Sequence, residues 1–338
     1  MRFTNVSILG LAHVDAPHRV TSEALCERLE PTLSRMGMGS DLLESASGIV
    51  ARRFWDVGFQ PSQAATLAAE KCLAESGVDR RDVGVLISTS VCRDYVEPSV
   101  ACLVHGALGL DPSCLNFDVG NACLAFLTGM QIAGNMIERG QIAHALIVDG
   151  EGARDAVEAT LTRLRRPETT PRDLRDQFAT LTLGSGGVAM LLGRRDLAPE
   201  APRFVGAVER AATQHRGLCH GQVDGMYTDG KALLTNGILL AQDTWALARA
   251  SLQWDAGALD DLALHQVSAS HTTLLLEALG LNPDKALSIY PEFGNIGPAS
   301  VPMVLSKSRE AGRLRKGMRV GLLGIGSGLN CSMAEIVW

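Results

Sequence analysis

Aromatic side chains are scarce, at 4% of 338 residues, and so low a content argues against base-stacking surfaces for single-stranded nucleic acid. Basic residues are not in excess either. Thirty-one lysines and arginines stand against 37 aspartates and glutamates, for a net charge of -6, which leaves no electrostatic footprint for nucleic acid. No uncharged apolar run reaches the roughly 18 residues of a membrane-spanning helix. The first residues, MRFTNVSILGLAHVDAPHRV, lack a signal peptide's longer apolar core and small-residue cleavage site. None of the eight cysteines forms a C-x-x-C pair, and a chain of this size needs no disulfide framework. Reduced thiols and a cytoplasmic location are expected. His215, Cys219 and His220 form a His/Cys cluster without an evident fourth ligand, so no metal site is expected there.

A hydrophobic content of 46% with 20% charged residues is that of a folded globular chain. Apolar strand-like runs alternate with helical periods throughout. VSILGLA (6–12), VGVLISTS (83–90), LNFDV (115–119), HALIVDG (144–150) and GGVAMLLG (186–193) read as strands. SQAATLAAEKCLAESG (62–77), with Gly77 as a stop, and PSVACLVHGALG (98–109) read as helices. A second set follows, with strands FVGAVERA (204–211) and LALHQVS (262–268) and helices over 237–254, 270–280 and 299–311. Two strands, MRVGLLGIGSG and LNCSMAEIVW, close the chain. Such alternation predicts an α/β protein with mostly parallel strands. The order of elements repeats about a break near 194–203, so we expect two similar halves, 1–193 and 204–338, within one fused unit.

One stretch departs from this pattern. EGARDAVEATLTRLRRPETTPRDLRDQF (151–178) carries six arginines and two prolines. It reads either as a solvated helical excursion or as a cover over a site entrance whose arginines meet phosphate groups.

The chemistry-bearing residues stand at strand ends. In DVGNACLAFLTGM (118–130), Cys123 lies where a helix begins. A helix N-terminus lowers a thiol's pKa from about 8.5 and favours the nucleophilic thiolate, and free N–H groups there can hold an oxyanion. His265 ends the apolar run LALHQ, where loops of α/β proteins collect functional groups. Asn295 lies between Gly294 and Gly297 in PEFGNIGPAS. Each alone has an ordinary reading: a buried small hydrophobe, a satisfied core histidine, a turn asparagine. Together they offer a nucleophile, a base or donor, and an amide donor. The glycine-rich LLGIGSGLN (322–330) lets backbone approach a ligand closely. It is no dinucleotide loop, because no helix follows it.

FDVGNACLAF, LALHQ, FGNIGPASVP and GIGSGLN, in that order and spread over nearly the whole chain, resemble the motifs of thiolase-superfamily condensing enzymes. The resemblance is to the ketoacyl-ACP synthase III branch, and within it to members that join two long-chain acyl-CoA molecules in bacterial olefin biosynthesis. It implies a duplicated αβαβα layered fold, a homodimer, acyl-CoA substrates, no cofactor, and later olefin-pathway enzymes as partners. By motif, Cys123 becomes acylated and His265 with Asn295 forms one oxyanion hole. The backbone N–H groups of Cys123 and Ser327 form the second.

Two departures from the branch matter. HQVSAS puts Ser268 and Ser270 where carrier-protein-dependent relatives have asparagine and arginine, which favours CoA thioesters. VEPS puts Glu97 where relatives have a phenylalanine that crosses the dimer interface. Reaching the partner's Cys123, Glu97 would supply the base for a condensation without decarboxylation. Before Pro98 at a helix start, it would equally be an ordinary favourable charge. The implied activity is head-to-head condensation of two acyl-CoA molecules to a 2-alkyl-3-oxo acyl product, the first step of olefin biosynthesis. The alternatives are a decarboxylating synthase with a malonyl donor and a silent acyl-CoA-binding scaffold.

Overall fold

The computed structural model describes residues 1–255 and 257–338. Its strands are β1 (Val6–Asp15), β2 (His18–Thr21), β3 (Ala51–Phe54), β4 (Val83–Ser88), β5 (Leu115–Asp118), β6 (His144–Glu151) and β7 (Gly186–Arg194), then β8 (Arg203–Ala211), β9 (Cys219–Gln222), β10 (Gly225–Thr228), β11 (Asp261–Leu264), β12 (Arg319–Gly326) and β13 (Asn330–Val337). Nine of them form one mixed sheet in the order β11-β12-β13-β8-β1-β7-β6-β4-β5. β1 runs antiparallel to β7, β7 antiparallel to β6, and β6, β4 and β5 are parallel. The same kinds of pairing recur as β8 antiparallel to β13, β13 antiparallel to β12, and β12 parallel to β11. A lone parallel bridge from Leu262 to Ala286 lies where β5 has its counterpart. Only Ser7 and Arg203 pair β1 with β8, so the sheet nearly divides there.

Burial explains the layering. Strands covered on both faces read as continuous apolar runs rather than alternating ones, and β6, β7 and β12 do so. Helices Ala125–Glu138 and Ser300–Glu310 are packed between the two groups of strands, through Phe126, Met130, Ile137, Val301 and Met303. Helices Pro61–Ser76 and Val100–Leu108 cover the far side of the first group, and Gly230–Leu252 and Ala269–Leu279 the far side of the second. The result is five layers, αβαβα.

Local signals fix the boundaries. Gly77, Gly109 and Gly280 cap their helices with φ of 69°, 59° and 65°, a conformation that glycine adopts without penalty. The helix expected over 237–254 begins earlier, at Gly230, because the Asp229 side chain accepts from the Ala232 N–H at 3.0 Å. The strand expected over 262–268 ends at Leu264, and its last residues become a loop.

The charged stretch 151–178 folds into helices Arg154–Leu164 and Pro171–Leu181. Their apolar faces, with Val157, Leu161 and Leu174, pack on Leu25, Leu29 and Leu33 of the preceding helices. Sequence reading supplied no elements for the helices between residues 22 and 47 or for the small β2–β3 and β9–β10 pairs. Among the described residues no helix is long and apolar enough to cross a membrane.

Gly150 of β6 packs directly on the start of helix Pro61–Ser76, where an added methyl would overlap the Pro61 carbonyl oxygen. That oxygen is backbone and cannot swing aside. Gly150→Ala is therefore expected to destabilise by about 1–3 kcal/mol, read as a lower urea midpoint at unchanged m-value.

Candidate active site

Cys123 stands in the tight turn Ala122–Leu124 between β5 and helix Ala125–Glu138. The turn is strained, because Ala122 holds φ at +45°, a region that residues with a Cβ rarely occupy. Neighbours impose the conformation. Asn121 donates from Nδ2 to Thr128 Oγ1 at 3.0 Å and accepts at Oδ1 from Asn330 Nδ2 at 3.1 Å. It is thus tied both to the following helix and to the β12–β13 turn.

β12 comes close enough to receive this turn because it lacks side chains there. A Cβ on Gly326 would lie 3.4 Å from the Cys123 nitrogen and 3.6 Å from its Cβ. One on Gly324 would run into the Leu124 side chain and lie 3.9 Å from the Cβ of His265. The G-x-G-x-G run is therefore a seat for the cysteine turn. Ser327 follows directly, in the turn that leads into β13.

His265 is fixed beside the same strand by its N–H, which donates to the Leu323 carbonyl at 2.8 Å. The next residue, buried Gln266, accepts at Oε1 from the N–H groups of Ile289 and Tyr290 and donates from Nε2 to the Leu287 carbonyl. It holds the chain that leads to Asn295. Asn295 is pinned through its N–H to the Thr182 carbonyl and through its carbonyl from the Gly184 N–H, both at 2.9 Å. Its Oδ1 accepts from the Gly297 N–H at 3.0 Å, which leaves the Nδ2 hydrogens as donors. The turn 297–299 packs against the Cys123 turn. The structure thus gathers Cys123, His265, Asn295 and the Ser327 turn from four loops into one region.

Glu97 is not among them within one chain. It is exposed in the irregular segment before helix Val100–Leu108, whose N-cap is Ser99. Val91 and Tyr95 are exposed beside it, and Val96 is 95% exposed.

Burial controls the charge states. It pushes the Cys123 thiol up to about 12, with Cys219, Glu151 and Asp149 adding to the rise and the residue's own N–H opposing it. Desolvation thus works against the helix end that favours a thiolate. Burial, and then the neighbouring His271, lower His265 to about 3, so the imidazole is neutral at ordinary pH. Its Nδ1 has no hydrogen-bond partner among the described residues.

Sequence reading missed two features. Asp149 and Glu151 end β6 in full burial. Desolvation pushes Asp149 well above the carboxylate range and raises Glu151 to about 7. Two carboxylates closing an otherwise apolar strand were the available signal. The second is a cavity of about 720 Å³ lined by Met38, Leu42, Phe178 and Tyr227, with Arg172, Arg175 and Lys231 also along it. Helix Pro171–Leu181 forms one wall, so the charged stretch shapes a pocket and sets arginines on it.

A strained turn carrying Cys123, a buried neutral His265 and an Asn295 fixed by the Gly297 N–H thus stand in one region of a layered αβαβα fold. The chain belongs to the ketoacyl-ACP synthase III family. The family models for 3-oxoacyl-[acyl-carrier-protein] synthase III and for its C-terminal part match residues 117–208 and 248–338. An acyl-CoA:acyl-CoA alkyltransferase of Xanthomonas campestris is 52% identical over all 338 residues, with 100% of each chain covered. One from Shewanella oneidensis is 37% identical, again with 100% of both chains covered.

Cerulenin-bound OleA of X. campestris superposes with a TM-score of 0.99 at 52% identity, covering 100% of this chain and 98% of that one. OleA has also been crystallised as variants at a glutamate, a cysteine and a histidine. The first two lie 26 residues apart and the last two 142, the intervals that separate Glu97, Cys123 and His265 here.

With the thiol held high by burial, alkylation of Cys123 by iodoacetamide is expected to rise about tenfold per pH unit from pH 7 to 10. Peptide mass spectrometry, with exposed Cys102 as the internal control, measures it. A plateau below pH 9 would show that the helix end outweighs desolvation.

Proposed function

We propose that this enzyme joins two long-chain acyl-CoA molecules head to head without decarboxylation, acting as a homodimer. The supporting observation is the family likeness over the full chain together with the spacing of Glu97, Cys123 and His265. In this reading the two halves, 1–193 and 204–338, supply the nucleophile and the His/Asn pair respectively.

The Cys123 sulfur attacks the first thioester, CoA leaves with the thiol proton, and an acyl-Cys123 thioester remains. The backbone N–H groups of Cys123 and Ser327 hold the carbonyl oxygen, each such donor contributing about 3 kcal/mol in the transition state. Glu97 of the partner subunit then removes the α-proton of the second acyl-CoA. His265 and the Asn295 Nδ2 hold the enolate oxygen while its carbon attacks the acyl carbonyl. The C–S bond breaks, and the Cys123 thiolate regains a proton, matching the one taken by the glutamate. The product is a 2-alkyl-3-oxo acyl-CoA, or the β-keto acid after hydrolysis. It would pass to later olefin-forming enzymes.

Dimerisation suits the exposed parts. β5 is an edge strand with Leu115 exposed, and the Val91–Glu97 segment presents Val96 and Tyr95 outward; unpaired edges and apolar patches of this kind call for a partner. Where the branch has asparagine and arginine, Ser268 instead caps helix Ala269–Leu279 by accepting from the His271 N–H. No cation is offered there to a carrier protein. Arg172, Arg175 and Lys231 along the apolar cavity suit the charged and acyl portions of acyl-CoA. No cofactor enters this chemistry, and the cytoplasm fits its substrates.

Myristoyl-CoA alone should yield condensed product; strict dependence on a malonyl donor would support the decarboxylating alternative, and absence of any acyl adduct the scaffold. Cys123→Ser is expected to abolish turnover. Glu97→Ala should slow condensation by about 10²–10⁴-fold while leaving acylation of Cys123 near the parental rate. Mixing these two inactive variants as subunits should restore about a quarter of parental activity, because random pairing leaves half the dimers with one intact site. No recovery would place Glu97 and Cys123 of one site in the same chain.

A further inference from the structure

A third carboxylate stands behind this machinery. Glu151 closes β6 and is 5% exposed. Its Oε1 accepts from the Val91 N–H at 2.7 Å. Val91 opens the exposed segment that carries Glu97. On its other side the carboxyl group abuts the Asn295 turn: a Cβ on Gly297 would lie 3.7 Å from the Glu151 Cδ and 3.9 Å from Oε2. Gly297 is the residue whose N–H orients the Asn295 side chain. The backbone of Glu151 is fixed as well, since its carbonyl accepts from Trp55 Nε1 at 3.0 Å. The strand end is therefore a rigid post, and its side chain touches two segments whose functional groups both belong to the second half-reaction.

We propose that Glu151 is a positioning residue for the condensation step: it holds the Val91–Glu97 segment and the Asn295 turn in register, so that the base offered to the partner subunit and the enolate-binding amide keep their places. This rests on the reading of Glu97 as the α-proton base.

Burial of the Glu151 carboxyl group is consistent with such a task. A buried acceptor is retained only where it has partners, and here they are the Val91 N–H, the Cys92 N–H and thiol, and the neighbouring Asp149 carboxyl group. Acylation of Cys123 uses backbone donors that Glu151 does not touch. Glu151 bears on the sulfur only by adding to the rise of its thiol, which its loss would ease, so the two half-reactions should respond differently. Small misplacements of a catalytic group slow a step by up to about a hundredfold.

Two rates test this: acylation of Cys123 by one equivalent of myristoyl-CoA, followed by intact-protein mass spectrometry, and formation of condensed product. Glu151→Ala is expected to slow condensation on the order of 30-fold and acylation by less than about threefold. Glu151→Gln, which keeps an oxygen acceptor for the Val91 N–H, should condense within about threefold of the parent. Adding Glu151→Ala to Glu97→Ala should cost less than the product of the two single losses, because the part of the Glu151 effect that runs through Glu97 is already gone while the part that runs through the Asn295 turn remains.

Parental condensation by the alanine variant, equal slowing of both steps, a glutamine variant no better than alanine, or fully multiplicative losses in the double variant each overturns the proposal. Should Glu151→Ala fail to fold, Glu151→Met removes the acceptor at similar length. Failure of both beside a sound Glu151→Gln assigns Glu151 to folding and also overturns it. If Glu97→Ala alone leaves condensation fast, the functional reading falls instead.

Discussion

The seating of the Cys123 turn on the bare backbone of β12 is the constraint from which the site follows. Ala122 is held at a φ of +45°, a conformation that costs of order 1–3 kcal/mol and persists only when its surroundings over-determine it. Gly324 and Gly326 make room for the turn, and Asn121 is clamped from the helix and from Asn330. A side chain on either glycine would push Cys123 away from His265 and from the Ser327 turn together. One seam of missing side chains thus brings Cys123, His265 and the Ser327 turn into one region. It also joins the two groups of strands at the place where chemistry is needed.

The same close packing dries the site, and dryness sets its charge. Cys123 is pushed toward its thiol, His265 toward neutral imidazole, and Glu151 toward the carboxylic acid, in each case with desolvation as the largest cause. On the proposed reading, a site of neutral donors suits an enolate better than a standing ion pair would. The negative charge arrives with the reaction, and preorganised donors in a low-dielectric setting then act most strongly. A resting imidazolium would instead have to be maintained against burial at every turn of the cycle.

Much of this was legible in the chain. The apolar runs at 144–150 and 186–193 became β6 and β7, and Gly77 and Gly109 stopped their helices, because such boundaries are set by local sterics. Cys123 and His265 could be named because each follows an apolar strand, and Asn295 because it stands in the motif FGNIGPASVP, although the element before it is the short helix Tyr290–Phe293 and not a strand. Glu151 could not, since it reads as the first residue of a charged stretch; only the packing of β6 against the 297–299 turn shows it buried. Gln266 looked like a motif letter, and its three hydrogen bonds to 287–290 exist only in three dimensions. The helices of 22–47 were equally hidden. They are short, with six or seven residues each, and draw their stability from Val157, Leu161 and Leu174 of a distant segment.

Glu97 shows how far a single chain can carry the chemistry. On the proposed reading, the groups that acylation requires come from loops of one chain, whereas the group assigned to α-proton removal is exposed on a segment rich in exposed apolar side chains. In that reading a second copy covers this segment and brings the carboxylate to the substrate it acts on. The association of two chains therefore creates, on the same reading, the reactivity of the second step, and Glu151 ties the segment that crosses the interface to the Asn295 turn.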